Sequence, residues 1–186
     1  PRPPLRAHEP WRFALPLLGG VPMNEEVVRE MMALRVSLDV TLRDRAPKIV
    51  MFTSPQGGEG TSTIALQFSQ GLARDSGLRP LLVDANVRRP AYEEDPATRC
   101  ARPAARLLEG SPEQSVVASN LFVAPVPDEQ RQSGLYHAVS FRALLEQASS
   151  HHDWIVVDGP PVLDSPDTAA LASIADGVVL VVQAGR

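Results

Sequence analysis

Met51-Phe-Thr-Ser-Pro-Gln-Gly-Gly-Glu-Gly-Thr-Ser-Thr63 decides how this chain is to be read. An apolar run, Ile49 to Phe52, breaks into a glycine-rich turn, and from Ser62 onward the spacing is that of a helix. Backbone N–H groups freed by Gly57, Gly58 and Gly60, with the positive end of the following helix, can surround a di- or triphosphate without a cationic side chain. In the pattern G-x-x-x-x-G-K-[ST] the lysine reaches the β and γ phosphates and the next hydroxyl binds magnesium. Here Gly60 is followed by Thr61 and Ser62, so the hydroxyl is kept and the charge is lost. Lys48 is the one lysine of the chain and starts the strand whose other end feeds the loop, so a rise of ~3.3 Å per residue leaves it roughly 15–20 Å away. Only an arginine could restore the charge.

Length and composition narrow the rest. At 186 residues and 44% hydrophobic content the chain supports one α/β domain with its own core. A net charge of −4 with scattered arginines argues against nucleic acid as a partner. Cys100 is single, which excludes an internal disulfide framework and a cysteine-rich zinc pattern and suits a loop or core thiol. No run approaches the roughly 20 apolar residues that span a bilayer, so the chain as given is expected to be soluble. Pro1-Arg-Pro-Pro4 reads as a linker of polyproline character, with something expected before it. Phe13 to Val21 is apolar but broken by Pro16, Gly19 and Gly20, and is expected to pack on the core or on a partner, with Leu15, Leu17 and Leu18 as contacts. Residues 1–23 are therefore expected to be a linker and docking segment, and 24–186 the domain.

From Asn24, an N-cap followed by Glu25 and Glu26, apolar residues recur at Val27, Met31, Leu34, Leu38 and Leu42, a stripe on one helix. Pro47 to Thr53 is a buried strand of the parallel type. Ser62 to about Asp75 is a helix with Ile64, Ala65, Phe68 and Leu72 inward. Leu81 to Val83 is a second strand, delivering Asp84 to the sheet edge where ligands bind in open α/β folds. Ala91 to Arg102 reads as irregular, Ala104 to Glu109 as a short helix, Leu121 to Ala124 as a strand, Pro125 to Tyr136 as a loop and Phe141 to Ala148 as a helix. Trp154 to Val157 is a third strong strand, bringing Asp158 to the same edge. Ser165-Pro166-Asp167 starts a helix through about Ile174, and Gly177 to Val182 is a last core strand, after which an α/β fold is expected to continue into a further helix. His151 and His152 read as a solvated turn, Tyr92 as an exposed loop aromatic, and Trp11 and Trp154 as packing residues. Arg88 and Arg89 either pair with Glu93, Glu94 or Asp95, or supply charge to the cradle.

Three blocks in this order resemble the cytoplasmic ATPase domain of the bacterial tyrosine kinases, which act with polysaccharide co-polymerases: Thr53 to Thr63, Leu82-Val-Asp-Ala-Asn-Val-Arg-Arg-Pro90, and Ile155 to Val162 with Ala175 to Val182. The related Min- and Par-type ATPases carry two lysines in K-G-G-x-G-K. Those positions are Gln56 and Thr61 here, both neutral, which argues against a positioning ATPase.

The resemblance implies a three-layer P-loop NTPase fold, a mainly parallel sheet with helices on both faces. It implies ATP or ADP with Mg2+, held by Gly57, Gly58, Glu59, Gly60, Thr61, Ser62, Thr63 and Arg88. It makes Ser62 the magnesium hydroxyl, Asp84 the first Walker A′ aspartate and Asp158 the Walker B aspartate, with Ser62, Asp84 and Asp158 around the metal and Asp84 and Asp158 catalytic if the domain is active. Asn86 replaces the second Walker A′ aspartate. The family's oligomerisation motif, Glu and two Arg three residues apart, survives only at Arg35, with Arg29 and Met32 at the earlier positions, which counts against ring assembly. The tyrosine cluster has no counterpart, since the tyrosines are Tyr92 and Tyr136. The implied role is a degenerate kinase-like regulator of exopolysaccharide or capsule export. Its partner would be a membrane co-polymerase at the inner face of the plasma membrane; homo-oligomers are open, and nucleotide binding is expected to be weak with little or no turnover. The alternatives are an active tyrosine kinase or ATPase with an unusual phosphate grip, and a Min/Par-type ATPase.

Overall fold

The computed structural model describes residues 15–16, 23–95, 100–103, 120–125 and 138–185. Strands β1 (Leu15–Pro16), β2 (Lys48–Thr53), β3 (Pro80–Asp84), β6 (Phe122–Ala124), β7 (Trp154–Asp158) and β8 (Gly177–Leu180) form one sheet. Its order is β1-β6-β3-β7-β2-β8, parallel throughout except for β1, which runs antiparallel to β6. Helices α1 (Glu25–Thr41), α2 (Thr61–Ala73), α3 (Ala138–Ala148) and α4 (Asp167–Ala172) complete the layers.

The pleat divides the apolar residues between two cores. Val50, Phe52, Leu82 and Val156 face α2, where Phe68 and Leu72 meet them. Met51, Leu81, Val83, Ile155 and Val157 face Phe141 and Leu145 of α3 and Leu171 of α4. Strands covered on both faces read as near-continuous hydrophobic runs, which is why β2, β3 and β7 were recognisable. The expected three-layer α/β fold is thus present.

Asn24 caps α1, its Oδ1 accepting the Val27 N–H at 2.8 Å. Met31, Leu34 and Leu38 pack on the first core and Leu42 is buried. Gly71 lets α1 approach α2, since a Cβ there would lie 3.4 Å from that of Met31. Arg35, the surviving position of the oligomerisation motif, is engaged within the chain, with Asp39 at 3.5 Å and Asp75 at 3.3 Å.

Three expectations need correction. Ala91 to Arg102 is not irregular: β4 (Tyr92–Asp95) and β5 (Cys100–Pro103) form an antiparallel ribbon with Glu93 opposite Arg102. A short polar pair lacks the apolar alternation that marks a strand in sequence. Tyr92 is fully buried, its hydroxyl donating to the Ser62 carbonyl at 3.4 Å. His152 is buried rather than solvated, with Nδ1 3.2 Å from the Arg79 carbonyl and its ring edge-on to Phe122. The segments Pro1 to Pro4 and Ala104 to Glu109, the expected loop Pro125 to Tyr136 beyond Pro125, and Trp11, Leu17 and Leu18 lie outside the described residues.

Candidate phosphate-binding site

The turn after β2 is shaped by backbone that only glycine adopts easily. Gly58 has φ 89° and Gly60 φ 87°, left-handed values that a Cβ disfavours. Gly60 is also the N-cap of α2, with no side-chain cap, so the first-turn N–H groups face the loop. Two side chains hold the loop shut on itself. Ser54 Oγ donates to the Gln56 carbonyl at 2.8 Å, and Glu59 accepts the Gln56 N–H at 3.1 Å. The second oxygen of Glu59 takes the Gln183 N–H at 3.1 Å, tying the loop to the segment after β8. Glu59, expected as a phosphate contact, is thus engaged with backbone on both sides.

Asp84 and Asp158 end adjacent strands in direct register, and both are fully buried. Asp84 accepts the N–H groups of Asn86 at 3.0 Å, Ala91 at 2.6 Å and Tyr92 at 3.2 Å, so its carboxylate shapes the turn after β3. Asn86 lines the cleft and caps that turn, its Oδ1 accepting the Arg89 N–H at 3.2 Å. Directly after Asp158 comes Gly159, where a Cβ would collide with Met51 and lie 3.0 Å from the Phe52 carbonyl.

The turn after β7 lies against the loop. Val162 N–H donates to Ser54 O at 2.8 Å and Leu163 N–H to Pro55 O at 3.1 Å. A cleft of about 570 Å³ opens between the loop with the start of α2, the turn after β3, and the turn after β7. Gly57, Gly58, Gly60, Thr61, Ser62 and Thr63 form one wall. The cations on its walls, among the described residues, are Arg88 and Arg89. Arg88 does not follow the acidic pairing considered for it: its Nη1 donates to the Asp164 carbonyl at 3.1 Å. Lys48 is committed elsewhere, 3.2 Å from Asp39 and 5.3 Å above the Trp154 ring.

Asp164 was not singled out from sequence. Its carboxylate sits 3.3 Å from where a Gly57 Cβ would be, beside the loop, although in sequence it is one acid among several after a proline pair. Among the described residues no three His, Cys, Asp or Glu side chains converge on a metal site.

Residues 48–183 match the family model of the ATPase MipZ. The Bacillus subtilis tyrosine-protein kinase YwqD is 31% identical over 172 residues, covering 88% of this chain and 70% of that protein. The chain belongs to the bacterial tyrosine-kinase group of MipZ/ParA-type P-loop ATPases. The succinoglycan biosynthesis transport protein ExoP of Rhizobium meliloti is 30% identical over 161 residues, covering 82% of this chain and 20% of ExoP. The VpsO kinase domain superposes with a TM-score of 0.58 at 28% identity, over 84% of this chain and 79% of that domain. The names of these relatives are those of ATPases and tyrosine kinases, which implies binding of nucleotide and magnesium in general. No helix among the described residues is long and apolar enough to cross a membrane.

Proposed function

We propose that this domain is a kinase-like regulator in exopolysaccharide or capsule export that binds magnesium ATP weakly and turns it over slowly or not at all. The observation that carries this reading is Thr61 at the first position of α2, with the chain's one lysine held by Asp39 at the far end of β2. Phosphoryl transfer depends on positioning and on neutralising charge at the β and γ oxygens. Here the glycine turn and the uncapped start of α2 support a backbone cradle, position 61 carries no charge, and Asn86 stands where the family has an aspartate. In this reading Gly57 to Thr63 and Arg88 hold the phosphates, and Ser62 binds magnesium. Asp158 would help to hold the metal, and Asp84 sustains the turn after β3. Magnesium supplies charge neutralisation when bound.

The similarity to ExoP, a succinoglycan biosynthesis transport protein, supports a membrane polysaccharide co-polymerase as the partner and the inner face of the plasma membrane as the place of work. Gln56 and Thr61, neutral where positioning ATPases carry lysine, weigh against a Min/Par role. Phosphate release from magnesium ATP should not exceed that of the Asp158→Ala variant. Turnover clearly above that control would identify an active ATPase or kinase instead.

A further inference from the structure

The cleft holds an arginine with a defined resting place. Arg88 leaves the turn after β3, crosses to the turn after β7 and donates one N–H to the Asp164 carbonyl at 3.1 Å. Its side chain is exposed, and a guanidinium carries five N–H donors in a fixed fork, so this bond leaves capacity for a second acceptor. Its anchor is fixed from two directions. The Val162 and Leu163 N–H groups pin the turn to Ser54 and Pro55, and the Asp164 carboxylate lies against Gly57. The guanidinium is therefore anchored to a turn that is itself laced onto the loop, and it lines the same cleft as Thr61, where a lysine would have stood.

That placement has a consequence for ligand choice. In such loops the backbone N–H groups and the helix start cradle the α and β phosphates, and the cation serves the outer end of the chain. In this chain position 61 offers no cation, and the cations that line the cleft, among the described residues, are Arg88 and Arg89. We propose that Arg88, resting on the Asp164 carbonyl, contacts the terminal phosphate and makes the site discriminate nucleoside triphosphate from diphosphate. The proposal rests on the nucleotide reading above and adds a ligand-state sensor to it. Arg89, its neighbour, also lines the cleft, with its backbone N–H on Asn86 Oδ1, and is not assigned this role.

The test is calorimetric titration of the whole chain with β,γ-imido-ATP and with ADP, both with magnesium, for wild type, Arg88→Ala, Arg88→Lys and Thr61→Lys. A charge-assisted contact corresponds to about a ten- to hundredfold change in affinity, so wild type should prefer the triphosphate by that factor. Arg88→Ala should lose the preference while ADP affinity stays within about twofold, and Arg88→Lys should regain part of it. A merely structural arginine would weaken both ligands alike, and that result, or an unchanged ratio in Arg88→Ala, overturns the proposal. Binding by Thr61→Lys but not by wild type overturns the role of Arg88 and spares the nucleotide reading. Failure of both proteins to bind either ligand overturns the two together.

Discussion

At Gly159 a single methyl group would strike the Met51 side chain and come within 3.0 Å of the Phe52 carbonyl. Gly159→Ala should therefore cost about 1–3 kcal/mol, as overpacking of a filled core does, and a urea titration would show it as a lower midpoint with unchanged slope. His152 makes a second residue-level case. Burial pushes its pKa down to about 4, only partly opposed by the hydrogen bond to the Arg79 carbonyl. The folded state keeps the ring neutral while the unfolded chain takes up a proton near 6.5, so the unfolded state binds more protons between those values. Stability should fall as pH drops from about 6.5 toward 4, by at most about 1.4 kcal/mol per pH unit from this one group, and His152→Gln should flatten that slope in unfolding curves taken across the range. Neither His152 nor Tyr92 was legible as buried. Each stands next to polar residues in sequence, and the surfaces that cover them, Phe122 and the start of α2, lie far along the chain. Asp164 was missed for the same reason: its meaning comes from Gly57, across a turn that only the fold brings into contact.

The elements were readable where one physical signal dominated. β2, β3 and β7 were found because burial on both faces demands unbroken apolar runs, and α1 because a cap and a period of three to four coincide. The β4–β5 ribbon carries no such signal, and its pairing is visible only from the backbone register. The side chains of α1 also show what periodicity leaves out. Met32, Val36 and Val40 are 57%, 62% and 67% exposed although as apolar as the inward stripe, because only the inward set meets α2 and the sheet. Leu42 closes the inward set just after α1 ends, with its Cδ1 3.5 Å from the Cβ position of Gly177 at the start of β8. Leu42→Ala should cost about 2–4 kcal/mol by transfer and cavity terms, whereas Val40→Ala should stay within about 0.5 kcal/mol, and paired denaturation curves would separate them.

At the scale of the whole molecule, the α/β sheet brings three turns around one cleft, and the side chain at position 61 on its wall is an uncharged threonine. The glycine turn, the register of Asp84 beside Asp158 and the lacing of the turn after β7 onto the loop do not depend on a lysine at position 61. This is why the architecture could be recognised from sequence and the strength of the phosphate grip could not: the first follows from local patterns, the second from the summed field of groups on separate strands. Placing a lysine at position 61 and an aspartate at position 86 tests the account most directly. In calorimetric titrations with magnesium ATP, Thr61→Lys should improve affinity by about ten- to a hundredfold, and Thr61→Lys with Asn86→Asp should gain more than the sum of the single free-energy changes, since both act on one phosphate–metal cluster. No gain with the lysine restored would show that the loop is not a working cradle. Strict additivity of the two changes would show that they do not share one site.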